Sequence, residues 1–178
     1  MSQERRPLLE HVAAEAIDLA IRLVPAPTAD LISTRLMNTR YRVCASPHYL
    51  AHNEDLKGSQ DPVRHQCLRF ALPEYRTHWR FKTQENAAFE VNVSGHLVIA
   101  NALSLRRAAL AGYGPALMAD WLVASDLAEG RLVDLFPNYE STATEFDTAA
   151  FALYPSRAYL PQKVRVMIDF LREKLGSH

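Results

Sequence analysis

The residues with the most reactive chemistry in this 178-residue chain cluster in one early stretch. Cys44, His48, His52, His65 and Cys67 are thiol and imidazole side chains, the ligand types that zinc accepts. On one continuous helix His48 and His52 would share a face. Their spacing matches no zinc module, however, and both cysteines sit in short apolar runs, where a thiol behaves as a small hydrophobe. A catalytic zinc at Cys44, His48 and His65 is the form an enzyme would take. Nucleophilic catalysis has less support: no Gly-x-Ser-x-Gly elbow occurs, and no histidine is placed to activate Ser46, Ser94 or Ser104. Gly112-Tyr113-Gly114 follows a helical segment, whereas a dinucleotide fingerprint follows a strand and opens a helix. Asp18, Asp120 and Asp126 fall at element ends, where capping accounts for them.

The segment Asn101–Trp121 offers binding chemistry instead. Asn101 is suited to cap a helix whose apolar face carries Ala102, Leu105, Ala109 and Leu110, with Arg106 and Arg107 opposite. Gly112 ends that helix. The apolar run Gly114–Ala119 reads as a buried strand, and Asp120 as the cap of a second helix starting at Trp121. A capped helix start carries amide N–H groups and partial positive charge, and both suit an anion or carboxylate.

These stretches need a scaffold, and the chain supplies one. Leu8, Leu9, Val12, Ala13 and Ala16 form a helical stripe. Leu19-Ala20-Ile21, Leu31–Met37 and Tyr41–Ala45 read as strands, and Ser46-Pro47 opens a short helix through Leu50. Cys67–Ala71 is a further strand. Thr77–Lys82 and Ala88–Val93 flank a polar turn and read as a hairpin, followed by a strand over His96–Ala100. Arg131–Phe136 and Thr148–Tyr154 are strands with a polar, irregular Pro137–Asp147 between them. A last helix carries Val164, Met167, Ile168 and Leu171 on one face. Alternating helix and strand implies an α/β fold with a mostly parallel sheet. The middle has a different, hairpin-rich texture, which implies two lobes with the chain crossing twice.

Composition narrows the function. Apolar residues make up 48%, as expected of a globular chain. Twenty basic and twenty acidic residues cancel, unlike the basic balance of a dedicated nucleic-acid domain. Two cysteines are too few for a disulfide framework and suit a reducing compartment. The N-terminus lacks a signal-peptide core, and no run approaches the ~20 apolar residues of a membrane span. A cytoplasmic location is expected, with no membrane partner.

Six stretches, in order, resemble the effector-binding region of the LysR-type transcriptional regulators: Asp18-Leu19-Ala20-Ile21-Arg22; Tyr41–Leu50, YRVCASPHYL; His65-Gln66-Cys67-Leu68; Asn101–Trp121; Gly130-Arg131-Leu132-Val133; and Tyr154-Pro155-Ser156-Arg157 running on to Pro161, Val164 and Phe170. The resemblance covers about residues 8–175. It implies a two-lobe α/β fold of the periplasmic-binding-protein-like (type 2) class with two crossover strands, no catalysis and no cofactor. Lobe one would be about 1–70 and 148–178, lobe two about 71–147. A small-molecule effector, a carboxylate by the helix-start argument, would lie between the lobes. Carried over by position, its ligand-binding residues are Arg22, Phe70, Asn101, Ala102, Gly114 and Tyr154. The family's DNA-binding domain has no counterpart in this chain, nor do the first strand, first helix and second strand of lobe one. The expectation is therefore an N-terminally truncated effector domain with lobe one incomplete, no direct nucleic-acid contact, and exposed apolar surface favouring a homo-oligomer. The alternative from another class is a stand-alone small-molecule binding protein.

Overall fold

The computed structural model describes residues 18–25, 32–53, 56, 58, 61–72, 75, 77–154 and 160–175. The expected helical stripe over Leu8–Ala16 lies outside them. The chain forms two compact units, one of Met1–Thr39 with Asp147–His178, the other of Arg40–Phe146.

The first unit is built from both ends of the chain. Strands β1 (Ala20–Pro25) and β2 (Ile32–Thr39) flank β11 (Thr148–Tyr154) in a three-stranded sheet of order β1-β11-β2, both ladders antiparallel. The run Thr-Ala-Ala-Phe-Ala-Leu suits a central strand because apolar residues point to both faces. Ala150 and Ala152 face one side and pack with Leu36 beneath Val164 and Ile168 of the last helix, α4 (Gln162–Leu175). Ala149, Phe151 and Leu153 face the other side. Met167, expected on the buried face of α4, is exposed. Its position lies beside, not within, the stripe of Val164, Ile168 and Leu171 that the sheet covers.

The second unit is a single run of chain. Its six-stranded sheet has the order β6 (Ala88–Asn92), β5 (His78–Lys82), β10 (Glu140–Thr142), β3 (Tyr41–Ala45), β8 (Ala116–Ala119), with β9 (Val133–Asp134) also on β3. Strand β3 (Tyr41–Ala45) pairs with β8 (Ala116–Ala119), β9 (Val133–Asp134) and β10 (Glu140–Thr142), all antiparallel. Ser46 caps helix α1 (Pro47–His52) by accepting the Tyr49 amide, as read from Ser46-Pro47. The hairpin is β5 (His78–Lys82) and β6 (Ala88–Asn92), turning at Asn86, which sits at φ 64°. Strand β4 (Arg69–Phe70) pairs with β7 (Val98–Ile99), and helices α2 (Ala102–Leu110) and α3 (Asp120–Ala128) follow. Trp79, Phe81, Val43 and Val91 centre one core; Leu68, Leu105, Met118 and Val123 centre a second against the helices.

Three expectations change. Among the described strands the ladders are antiparallel except β4–β7, so the sheets are not mostly parallel. The first crossing lies at Thr39/Arg40, not near residue 70. Residues 41–70 share the βα texture of the first unit, but the strand partners of β3 are about 70 to 100 positions downstream, beyond any local pattern. Asp120 is the first residue of α3 and Ala119 its cap position, with no side-chain cap bond.

Candidate functional site

The second unit gathers several of the expected residues at one place. β4 and β7 run parallel, with Arg69 opposite Val98 and Phe70 opposite Ile99. The Arg69 amide donates to the Leu97 carbonyl and the Ala71 amide to that of Ile99, both at 3.0 Å. Chain leaving β7 reaches Asn101, and α2 starts at once. The C-terminal ends of two parallel strands and the N-terminus of a helix thus converge, an arrangement in which open α/β sheets bind ligands.

The helix start is well formed. Asn101 accepts the Ser104 amide at 3.0 Å through its side chain and the Leu105 amide at 2.9 Å through its carbonyl. Asn101 is exposed and Ala102 half-buried, so the first turn of α2 reaches solvent. The other end is closed by Gly112 at φ 82°, where the Tyr113 amide bonds the Ala108 carbonyl and the Gly112 amide that of Ala109, a Schellman closure.

Phe70 is half-buried against the helix-side core. Its ring meets Tyr75 edge-on at 5.9 Å, and the Tyr75 hydroxyl donates to that of Tyr41 at 2.9 Å. Burial first, then Tyr75, push the Tyr41 hydroxyl well above the usual tyrosine range, so this phenol stays protonated at neutral pH. Sequence reasoning missed Tyr75, a lone aromatic in a loop with no periodic signal, and did not pair the strand holding Ile99 with that of Phe70.

Gly114 has a packing role. At φ 150° it is buried, and a Cβ there would run into the Gln66 carbonyl. This close approach lets the Leu68 amide bond the Pro115 carbonyl at 2.8 Å and brings β8 beside the strand leading to Phe70.

Asp126 fixes the far side of α2. It lies inside α3, fully buried, and it is not the cap its sequence position suggested. Arg106 of α2 donates to both its oxygens, and Arg131 Nε donates to Oδ1 at 2.9 Å. The Arg106 hydrogen bonds, with Arg131 assisting, hold the Asp126 carboxyl below the usual carboxylate range.

Arg22 and Tyr154 belong to the first unit. Arg22 is an exposed β1 residue paired with Phe151, and the Tyr154 hydroxyl lies 3.3 Å from Thr34 Oγ1.

The thiol and imidazole residues do not converge. Cys44 lies in the helix-side core and Cys67 in the other. Burial pushes both thiols up to about 12, and metal ligation needs thiolate. His65 is buried with its Nδ1 2.9 Å from the Tyr49 hydroxyl, while His48 and His52 lie exposed on α1. Among the described residues no group of three or more His, Cys, Asp or Glu could hold a metal ion. No described helix is long and apolar enough to cross a membrane.

The LysR substrate binding domain model matches residues 2–176. The chain belongs to this family. It is 32% identical over 163 residues to the HTH-type transcriptional regulator CrgA of Neisseria meningitidis serogroup C, covering 91% of this chain and 52% of CrgA. To PtxR of Pseudomonas aeruginosa, also an HTH-type transcriptional regulator, it is 32% identical over 165 residues, 93% of this chain and 51% of PtxR. The solved structure of CrgA, a LysR-type regulator, superposes with a TM-score of 0.77 at 30% identity, covering 93% of this chain and 55% of that one. The fold is the type 2 periplasmic-binding-protein-like α/β fold of these regulators. The LysR-family chain spans about half the length of the curated relatives it matches.

Proposed function

We propose that this chain is the effector-sensing part of a LysR-type transcriptional regulator and that it takes a small carboxylate. The observation that carries the reading is the solvent-reaching first turn of α2 at the C-terminal ends of β4 and β7, in a chain whose relatives are transcriptional regulators. Those relatives favour a sensor over a stand-alone carrier. The amides of α2 would receive the carboxylate, and Phe70 would lie against the ligand's apolar body. Asn101 and Ala102 shape this end. Ligand would act by binding one arrangement of the protein more tightly than another, so biasing how subunits pack and hence transcription. No bond is made or broken in this scheme, and we assign no nucleic-acid contact to these 178 residues. The setting is cytoplasmic and the assembly a homo-oligomer.

Leu103 provides the test. It is exposed in the first turn of α2, where an acidic side chain favours the helix dipole but repels an anion. Unfolding temperature should be followed against a panel of small aliphatic and aromatic mono- and dicarboxylates. Saturation near a hundred times Kd should stabilise the protein by about 2.7 kcal/mol. Leu103→Glu should leave the unliganded protein at least as stable and abolish the response. If no carboxylate shifts the transition, or Leu103→Glu responds like the parent, the reading is wrong.

A further inference from the structure

The thiol and imidazole residues scatter as a set, but two of them stay together. Residues four apart on a helix share a face, and His48 and His52 both lie on α1. Both side chains are exposed, and their ring centres are 4.6 Å apart. A first-row cation sits ~2.1 Å from an imidazole nitrogen, hence roughly 3.2 Å from the ring centre. Two rings on one such ion, about 90° to 110° apart, have centres roughly 4.5 to 5.2 Å from each other. The observed separation falls in that span, so a single ion fits the pair without moving the rings apart or together.

His52 is set in the ligand tautomer. Its Nδ1 lies 2.8 Å from the His48 carbonyl. A carbonyl only accepts, so Nδ1 carries the hydrogen and, in the neutral ring, Nε2 keeps its lone pair. Histidines that bind metal are commonly held this way, the far ring nitrogen donating to a backbone carbonyl. His48 is seated on its Nδ1 side as well. A Cβ placed on Gly112 would come within 2.9 Å of that atom, so the ring lies against the Gly112 turn and Nε2 is left for a ligand. Helix α1 is firm beneath both rings. Ser46 caps it, the Tyr49 hydroxyl meets His65 Nδ1 at 2.9 Å, and Asn53 Nδ2 donates to the Tyr49 carbonyl at 2.8 Å. His52 ends α1 and Gly112 closes α2. The pair therefore stands by two helix C-termini, whose partial negative charge favours a cation.

We propose that His48 and His52 bind one divalent transition-metal ion of the imidazole-seeking kind: Ni²⁺, Cu²⁺ or Zn²⁺. Among the described residues no group of three or more His, Cys, Asp or Glu could hold a metal ion, so the remaining coordination positions fall to water. Two protein ligands make an exchangeable site, unlike the four of a structural zinc or the three of a catalytic one. A bound ion joins successive turns of α1 and, through His48, braces the turn that closes α2. That turn is at the opposite end of α2 from the proposed carboxylate site, a helix length of roughly 14 Å for its nine residues. The cation site is thus separate from the carboxylate site and does not rest on it.

The experiment is calorimetric titration of the full chain with Ni²⁺ and Zn²⁺, with oxygen-seeking Mg²⁺ as the control. Ni²⁺ and Zn²⁺ should bind, and Mg²⁺ should not. His48→Gln and His52→Gln should each weaken the binding about tenfold or more, the scale seen when even an outer partner of a metal ligand is lost. The double variant should be no weaker than either single one, because one imidazole alone does not chelate. His96→Gln, at another exposed histidine, should leave the affinity unchanged. Absence of Ni²⁺ and Zn²⁺ binding up to millimolar concentration overturns the site, as does a parent-like affinity in His48→Gln. Two independent ions, each lost with one histidine, would make these separate surface imidazoles and overturn the shared site. His52→Gln also removes the bond to the His48 carbonyl, so circular dichroism accompanies each variant. His48→Gln keeps the backbone carbonyl and decides the matter if His52→Gln loosens α1.

Discussion

At the scale of single residues, Asp126 shows how far a local reading reaches. Its place near the end of a helical pattern suggests a cap, yet it is the buried centre of an ion triad joining α2, α3 and the turn after it. Arg106 lies twenty positions upstream, and no sequence period links the two. Asp126→Asn should cost about 3 kcal/mol, toward the low end for a broken buried pair because both guanidinium groups keep some solvent. Its folded-state pKa is depressed, so its contribution is complete at neutral pH. That contribution is lost as pH falls from about 4, the ordinary aspartate range, through the lower folded value. Urea midpoints measured from pH 7 to pH 2 should therefore fall less steeply in Asp126→Asn than in the parent. The cysteines were legible as core residues from their apolar runs. With thiols pushed up to about 12, neither should react appreciably with a thiol reagent at pH 8 until the protein unfolds. Rapid labelling of either in the native state would contradict the burial. Gly114 is a sterner case: Gly114→Ala places a methyl against the Gln66 carbonyl at a backbone angle disfavoured for alanine, and a loss of about 2 kcal/mol or more is expected in thermal unfolding.

At the scale of elements, segments whose residues satisfy one another locally could be read directly. Ser46 with Tyr49, Asn101 with Ser104, and Gly112 with Ala109 all act within a few positions, and the helices they bound came out as expected. The hairpin of β5 and β6 was equally plain. Strand β10 was not. Glu140–Thr142 lies in a polar run that looks like a loop, but it sits between β5 and β3 with Ser141 and Thr142 buried. The Thr142 hydroxyl finds its partner inside the fold, donating to the Glu145 carbonyl at 3.1 Å, so no hydrophobic alternation was needed. The site divides in the same way. The start of α2 was legible because a cap is local, and both strands beside it were read from their apolar runs; their parallel pairing was not, since it joins residues outside any local pattern. Asn101→Ala should lower stability by about 1 kcal/mol, and should weaken carboxylate binding further if α2 receives the ligand. The comparison with Leu103→Glu separates the two effects, because one variant loosens the helix and the other does not.

At the scale of the whole molecule, family motifs in order pointed to a two-part α/β fold, while the crossing near residue 70 was misplaced because strand pairing ignores sequence texture. The second unit, Arg40–Phe146, is a continuous run with two cores of its own. Expressed alone it should unfold in one cooperative transition with native-like near-ultraviolet circular dichroism; a molten, non-cooperative product would show that it depends on the first unit. The first unit has no such independence. Its central strand is β11, and Thr148 lies 109 residues beyond Thr39, the β2 residue whose carbonyl it bonds. During synthesis β1 and β2 therefore stay without the strand that belongs between them while the whole second unit is being made. Through that interval two unpaired strands, one bearing Ile21 and Leu23, are open to wrong partners. A chain interrupted before Thr148 would hold a first unit unable to begin, which makes the synthesis of β11 the step on which that unit's sheet depends.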